Sequence, residues 1–445
     1  MKKILFLIII PLTFYSQIID TIIRFDEMPD CLLYVPNGNK LYINFGSCAY
    51  HLVLDCSTYE VKKVIRRPSA SNSDAYGVWN WKRNKIYFGF SLSPESIAVV
   101  DAEKDTIIKW IRVRNIRPWG RCYNSKNDKV YAMAGSGMVI IDCKTDSIIK
   151  IINHPQYWFS RCVVWDSIGN KVYCGSVYST VIGVVDCERD SLIKIIDSRV
   201  WEPYQIVYNF LERKIYVIEE RGEFTSTICT IGDTLIKRFN WPLFDYDIRI
   251  IYNKRKNKIY FPGYDTIAQK GVIYIIDCKT DSIIKTIMVG ELGDMYLTEW
   301  SNRLYFICYD YSNNCNILYV LDCETDSILS QLRFGSGACY PYGIEGNPKT
   351  RHIYISDYWG NALYVIRDEI VSLKEDKCKK DKIDIFPKIR KSFLDISSIE
   401  NFKKIEIYDI LGKLILKDKV SLNKLKKGVY IVKIDNEKKK IIVIR

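Results

Sequence analysis

The sequence predicts an all-β fold: an eight-bladed β-propeller (seven blades with one irregular extra unit being the alternative), followed by a small β-sandwich. Three observations predict it. One ten-residue phrase recurs along the chain, a tyrosine-bearing phrase precedes each copy at a spacing near 44 residues, and the composition favours strands over helices.

The recurring phrase reads Ile-Asp-Cys-Lys-Thr-Asp-Ser-Ile-Ile-Lys and stands unaltered at 141–150 and 276–285. Variants occupy 185–194 and 321–329, looser copies 100–109 and 54–58, and a degenerate copy 232–237. The preceding phrase is a basic turn followed by an aliphatic residue and Tyr42, Tyr87, Tyr131, Tyr173, Tyr216, Tyr260, Tyr305 or Tyr354. Eight tyrosines imply eight units, each the length of one four-stranded blade.

Within the third unit the punctuation places four short strands. Residues 120–124 form the innermost, 129–134 the second, 138–143 the third and 147–152 the outer strand, separated by Asn-, Gly- and Asp-containing turns. A lone four-stranded sheet leaves both faces unburied, so such units pack around an axis until the ring closes. For closure, Asp20-Thr21-Ile22-Ile23-Arg24 reads like the outer-strand phrase Asp105-Thr106-Ile107-Ile108-Lys109. It is expected to pair beside residues 362–366 of the last blade and remove an open sheet edge.

Composition agrees. At 445 residues the chain exceeds one ordinary core but suits a repeat toroid. Hydrophobic residues make up 48% and aromatics 13%, and the 32 tyrosines suit half-buried pleated positions.

The chain begins as a signal peptide would: Lys2 and Lys3, an apolar run at 4–10, and an exit at 11–16, with cleavage expected before Gln17. That run is shorter than the roughly 20 apolar residues of a membrane span, and no later segment approaches that length. The formal charge of +13 is concentrated in the tail, because residues 371–445 carry 21 Lys/Arg against 11 Asp/Glu. The rest is nearly neutral, so nucleic acid is not an expected partner. Membrane-surface anions or export machinery suit the basic tail better.

Two family resemblances follow from quoted motifs. Pro341-Tyr342-Gly343-Ile344 with Arg351-His352-Ile353-Tyr354-Ile355, and Pro118-Trp119-Gly120 with Lys129-Val130-Tyr131, resemble the YVTN family of propeller repeats over about residues 20–373. Cysteine in the third strand is a departure from that family. Further on, Ile405-Glu406-Ile407-Tyr408-Asp409-Ile410-Leu411-Gly412, then residues 425–433, then Lys438-Lys439-Lys440-Ile441-Ile442-Val443, resemble the type A C-terminal sorting domain of the type IX secretion system. The upstream Asn-Pro element of that family is reduced to Ile385-Phe386-Pro387. With the signal peptide at 1–16, these resemblances imply a propeller at 17–373, a charged linker at 374–382 and a sorting sandwich at 383–445. They also imply secretion machinery as a partner through 383–445, and a secreted or outer-membrane, cell-surface location.

Candidate chemistry is sparse. Cys56, Cys143, Cys187, Cys278 and Cys323 hold one position in five units. Equivalent positions about 10 Å apart are too distant to bridge, so these read as small buried residues. Cys31, Cys48, Cys122, Cys162, Cys174, Cys229, Cys308, Cys315, Cys339 and Cys378 are freer to pair. His51, His154 and His352 lack ligand spacing, and no Cys-x-x-Cys, nucleophile elbow or phosphate-cradling loop occurs. No cofactor, metal or catalytic residue is therefore expected. The acidic pairs Asp142/Asp146 and Asp277/Asp281 read as turn caps rather than calcium ligands.

The binding candidates are aromatic. Tyr76, Trp119, Tyr204 and Tyr342 begin inner strands, and Tyr178, Tyr264, Tyr309, Tyr311, Tyr358 and Trp359 lie on loops expected on the same face. They read either as wedges between blades or as a funnel for a glycan, peptide or protein ligand. The expectation is an exported, non-enzymatic binding or scaffold protein. A propeller enzyme (lyase or cofactor-dependent dehydrogenase) and a structural surface-layer module are the alternatives.

Overall fold

The computed structural model describes residues 15–45, 50–66, 77–90, 96–113, 116–134, 137–153, 162–176, 179–219, 224–240, 249–265, 267–268, 270–310, 312–335, 343–372, 405–409, 414–417, 430–434 and 437–441. Every regular element among them is a β-strand. The chain forms two compact units, Met1–Leu373 and Lys374–Arg445.

In the first unit seven sheets each consist of four consecutive antiparallel strands, and an eighth is built from both ends of the unit. Eight blades result, and the seven-bladed alternative is excluded. Blade 3 shows the pattern: Ile116–Asn124, Lys129–Ala134, Gly137–Asp142 and Ser147–Asn153, from axis to rim. The two middle strands are buried on both faces, which is why they read as continuous apolar runs such as Met138-Val139-Ile140-Ile141. The core is a ring of layers between blades. Tyr87, Ile97 and Val99 of blade 2 meet Val130, Ala132 and Val139 of blade 3, for example.

Outer strands expose Ile149 and Ile151, Ile193 and Ile195, and their counterparts at the rim. A lysine stands between each of these pairs (Lys150, Lys194), where its charge discourages edge-to-edge pairing with another chain.

The blades are joined by a repeated polar contact. The tyrosine and the lysine two residues before it, on the second strand of one blade, reach one aspartate in the outer turn of the next. Lys85 Nζ donates to Asp146 Oδ2 at 2.6 Å, and Tyr87 OH donates to Asp146 Oδ1 at 2.7 Å. Lys129 and Tyr131 bind Asp190 at 2.6 and 2.9 Å, and Lys214 and Tyr216 bind Asp281 at 2.9 and 2.5 Å. Asp105, Asp233 and Asp326 receive the same pair from Lys40/Tyr42, Lys171/Tyr173 and Lys258/Tyr260.

Each of these aspartates has φ between +50° and +54°. Asp tolerates that left-handed conformation better than most side chains, and the tight turn before the outer strand demands it. The neighbouring acid does the capping: Asp142 Oδ2 accepts Thr145 N at 3.0 Å, and Asp277 Oδ1 accepts Lys279 N at 2.8 Å. Asp142 and Asp277 are therefore turn caps, whereas Asp146 and Asp281 turn their carboxylates across to the previous blade.

A second polar row links the inner turns. Asn80 donates to Asp128 at 3.1 Å, Asn124 to Asn170 at 3.0 Å, Asn209 to Asn257 at 2.9 Å and Asn253 to Asn302 at 2.9 Å. Asn347 closes the row onto Asn39 at 2.9 Å, from the eighth blade to the first.

The ring closes with the strand Tyr15–Arg24, which lies antiparallel to Ala362–Ser372 as the outer strand of blade 8. Ile22 pairs with Tyr364, Ile23 with Leu363 and Arg24 with Ala362, so the strand lies beside 362–366 as expected. Its register is three residues off that of the outer-strand phrase, because Thr21 rather than Arg24 pairs with Val365, where Lys109 pairs with Val99 in blade 2. Blade 8 thus has no outer turn of its own, and its latch aspartate moves. Asp368, at the position the buried cysteines hold elsewhere, takes Arg303 Nη1 at 2.8 Å together with the Tyr305 hydroxyl.

At the seam from blade 8 to blade 1 the residues change again. His352 replaces lysine and Tyr59, φ +62°, replaces aspartate. The two rings meet edge to face with centroids 6.3 Å apart. Asp20 on the clasp strand supplies the missing carboxylate within blade 8, to His352 Nε2 at 2.7 Å and Arg367 Nε at 2.9 Å.

In the second unit the described strands Ile405–Asp409, Leu414–Lys417, Tyr430–Ile434 and Glu437–Ile441 form one antiparallel sheet, with Ile405–Asp409 between Leu414–Lys417 and Tyr430–Ile434. The rest of the sandwich expected there falls outside the described residues.

Two outcomes test this architecture. Asp146→Ala leaves the largely buried Lys85 ammonium without its carboxylate and is expected to lower unfolding free energy by about 3 kcal/mol in urea titration. Tyr87→Phe should cost only about 1 kcal/mol. Deleting residues 17–25 should lower the melting temperature substantially, and an unchanged value would count against the clasp.

Candidate functional site

In each blade the turns between first and second strands and between third and outer strands lie on one face of the ring. Both polar rows sit there, so that face is committed to holding the blades together. Hairpins between second and third strands open on the opposite face. In blades 6, 7 and 8 these hairpins carry Tyr264, Tyr309, and Tyr358 with Trp359.

Blades 7 and 8 build the most defined arrangement. Across blade 7, Glu291, Tyr309, Asn316 and Phe334 pair in one row from axis to rim, so their side chains share a face. That face looks at blade 8, because Ile307, Leu318 and Val320 in the same alternation pack against Ile353, Ile355 and Ala362. Phe334 meets Tyr364 of blade 8 edge to face at 4.9 Å. Tyr309 OH donates to Asn314 Oδ1 at 2.6 Å.

Asn316 is 0% exposed, and neither its Nδ2 nor its Oδ1 has a hydrogen-bond partner. Most buried amides are paired, because an unmet donor or acceptor carries its full desolvation cost.

On blade 8, Asp357 follows Ile353 and Ile355 in alternation and is 1% exposed. Its Oδ1 accepts Gly360 N at 2.8 Å and fixes the turn that holds Tyr358 and Trp359. A Cβ at 360 would stand 2.1 Å from Asp357 Oδ2, so a side chain there would displace the carboxylate that fixes the turn. Tyr358 and Trp359 meet edge to face at 5.2 Å, and Trp359 stays 58% exposed. A large aromatic held rigidly in that exposure suits contact with a partner.

A polar cluster lies near the axis on blades 6–8. Arg249 donates through Nε to Asp294 Oδ1 at 2.9 Å, and through Nη2 to Asp294 Oδ2 at 2.6 Å and Ile344 O at 2.5 Å. One guanidinium thereby ties three blades. Beside it, burial pushes the Glu345 carboxyl up to about 7, with Arg249 opposing the shift and Asp294 adding to it.

The ten aromatics expected at the mouth are distributed unevenly. Tyr309 lies in the row of blade 7 that faces blade 8, and Tyr358 and Trp359 lie on the hairpin of blade 8. Tyr264 is half-buried at the end of its strand in blade 6, and Tyr204 is half-buried on the inner strand of blade 5. Trp119 belongs to the inner strand Ile116–Asn124, its side chain lying outside the described ones. Tyr76, Tyr178, Tyr311 and Tyr342 also lie outside the described residues.

Asn316 and the Arg249, Asp294 and Glu345 cluster were missed in the sequence. Aligning units on the third-strand aspartate would have flagged Asn316, because the equivalent residue in blade 6 is Gly271.

All twelve cysteines among the described residues are free thiols. Burial pushes the Cys143 and Cys187 thiols up to about 11, and the Cys278 and Cys323 thiols up to about 12. Their thiolates are thus suppressed, which fits a packing role. Among the described residues no group of three or more His, Cys, Asp or Glu is arranged to hold a metal ion, and no helix is long and apolar enough to cross a membrane.

Residues 384–444 match the secretion system C-terminal sorting domain family. The chain is accordingly an exported protein, directed to secretion or the cell surface by its tail. Solved structures similar to it include the β-propeller domain of Myceliophteria thermophila Cps50 (Swd1), at 11% identity and a TM-score of 0.52 over 80% of this chain and 100% of that one. The dihydro-heme d1 dehydrogenase NirN, solved in complex with DHE, is similar at 11% identity and a TM-score of 0.57, over 70% of this chain and 67% of that one. At such identity the likeness shows the propeller fold alone. No curated protein matches the sequence significantly.

The raised Glu345 acid predicts a pH dependence. A carboxyl that holds its proton more tightly folded than unfolded favours the fold fully below about pH 4.5. That contribution is lost as pH rises through about 7. Between pH 4.5 and 7.5 the wild type should lose stability relative to Glu345→Gln by on the order of 1–3 kcal/mol, read from urea midpoints at each pH.

Proposed function

We propose that the protein is a non-enzymatic surface or secreted binding protein. In this reading its YVTN-type propeller presents the aromatic face opposite the Lys–Tyr–Asp latches to a ligand, and residues 383–445 engage the type IX secretion machinery. A signal peptide at residues 1–16 starts the same route. The observation that carries the binding role is Trp359, held 58% exposed against Tyr358 on the face opposite the Lys–Tyr–Asp latches.

A propeller enzyme is the second reading, and Glu345 with its near-neutral acid is the residue that favours it. Against it, the adjacent Arg249 is engaged by Asp294 and Ile344, which suits a structural tie better than a group poised for substrate.

The chain from residue 17 onward, screened on glycan and peptide arrays, is expected to bind through this face. A Tyr358→Ala/Trp359→Ala variant should lose that signal at an unchanged melting temperature. Absence of any signal from folded protein would move the weight to a structural surface module.

A further inference from the structure

An exposed ion pair that recurs on the latch-bearing face is replaced by two isoleucines between blades 4 and 5. From blade 3 to blade 4, Lys126 Nζ of an inner turn meets Glu188 Oε1 of an outer turn at 3.3 Å. From blade 6 to blade 7, Arg255 Nε meets Glu324 Oε1 at 3.3 Å. The same two positions from blade 4 to blade 5 hold Ile168, in the turn before Lys171–Gly175, and Ile231, in the turn before Thr234–Asn240. The next inner turn, in blade 5, carries Leu211 at the Lys126 position. These three aliphatic side chains are 54%, 70% and 52% exposed.

Arg213 gathers them. Its Nη2 stands 3.5 Å from Asp166 Oδ2, two residues before Ile168. Its carbonyl accepts Thr230 N at 2.8 Å, beside Ile231, and Leu211 lies two residues before it. Cations flank the group. Lys194 Nζ donates to Gly232 O at 3.0 Å, next to Ile231, and the exposed Lys279 occupies towards Leu211 the position that Glu188 holds towards Lys126. The nearby acids are engaged: Glu188 accepts Asn170 Nδ2 at 2.7 Å besides pairing with Lys126, and Glu212 accepts Asn257 Nδ2 at 2.7 Å.

We infer that these turns dock the propeller on an anionic lipid bilayer. Ile168, Leu211 and Ile231 enter its apolar boundary, and Lys194 and Lys279 meet headgroup phosphates. The inference is independent of what the opposite face binds, and it would leave that face turned away from the membrane.

Three properties select a bilayer. Exposed apolar groups rimmed by polar ones mark an interaction surface, and here both halves of one ion pair have turned apolar at the same seam. The tips are aliphatic, whereas Trp and Tyr anchors dominate protein interfaces. A bilayer accepts projecting Ile and Leu without a matching pocket, and its anionic headgroups reward flanking lysines. The sorting tail directs the chain to secretion or the cell surface, where it meets such a boundary.

The test is co-sedimentation of the chain from residue 17 onward with unilamellar vesicles. One set is phosphatidylcholine mixed with phosphatidylglycerol, the other phosphatidylcholine alone. The wild type is expected to partition onto the mixed vesicles and more weakly onto phosphatidylcholine. Ile168→Lys/Ile231→Glu installs the ion pair of the other seams, so it should keep the melting temperature while weakening partition by about tenfold. Lys194→Gln/Lys279→Gln should weaken binding to the mixed vesicles and leave that to phosphatidylcholine unchanged.

The basic tail is identical in all three proteins. Equal partition of the wild type and the Ile168→Lys/Ile231→Glu variant would therefore assign vesicle binding to another surface and overturn the inference. A wild type that stays in the supernatant with both vesicle sets would overturn it too. Self-association without vesicle binding, lost in the same variant, would give the patch to a second copy of this chain and overturn the lipid assignment.

Discussion

A buried aspartate shared by a lysine and a tyrosine of the preceding blade is the contact on which the ring depends. Hydrophobic layers between blades supply most of the burial, but they are non-directional and would tolerate a slipped register. The latch fixes that register. Lys85 and Tyr87 meet Asp146 only if the second strand of blade 2 stands level with the outer turn of blade 3. Such buried pairs add little net stability once desolvation is counted, and their better-attested role is specificity. Burial and the neighbouring carboxylate also hold the latch tyrosines far above the usual phenol range, so Tyr42 and Tyr173 remain donors at any working pH.

The closing seam shows what happens where the repeat runs out. Blade 8 borrows its outer strand from the start of the chain, so the turn that would carry a latch aspartate is absent. Asp368 answers by moving to the cysteine position, with arginine replacing lysine as its partner. Blade 1 offers Tyr59 instead of aspartate, and Asp20 binds His352 from inside blade 8. The seam is thus held by strand exchange, by the Asn347–Asn39 bond and by Tyr354 packed among Leu41, Leu54 and Cys56. All other seams join neighbours in sequence, whereas this one joins residues more than 300 positions apart. The loop-closure entropy of the ring falls on it.

Much of this was legible before the fold was seen. The tyrosine spacing marked the second strand of every blade, and Asp20-Thr21-Ile22-Ile23-Arg24 betrayed a displaced outer strand because its side-chain pattern matches 105–109. The partner of Asp146 was not legible. Its turn looks self-contained, and nothing in the residues 144–147 shows that the carboxylate points across to a lysine about 60 positions earlier. Asn316 was hidden for a related reason, since the cost of an unpaired amide exists only once neighbouring blades enclose it. Of the aromatics expected at the mouth, Tyr309 stands on blade 7 and Tyr358 with Trp359 on the hairpin of blade 8, a neighbourhood that only the blade order discloses.

A division of labour between the two faces follows. Short turns with paired Asn, Asp and Lys side chains lock one face, leaving the hairpins of the other to vary without loosening the ring. The most direct test of the latch as the governing contact is to build one where the chain lacks it. His352→Lys and Tyr59→Asp, made singly and together, form a double-mutant cycle read by urea unfolding. The account predicts a favourable coupling of about 1 kcal/mol or more, because Tyr59→Asp alone has no lysine to meet and the two changes together reproduce the other seams. Strictly additive effects would contradict it, since the latch geometry would then not be a property of the blade interface.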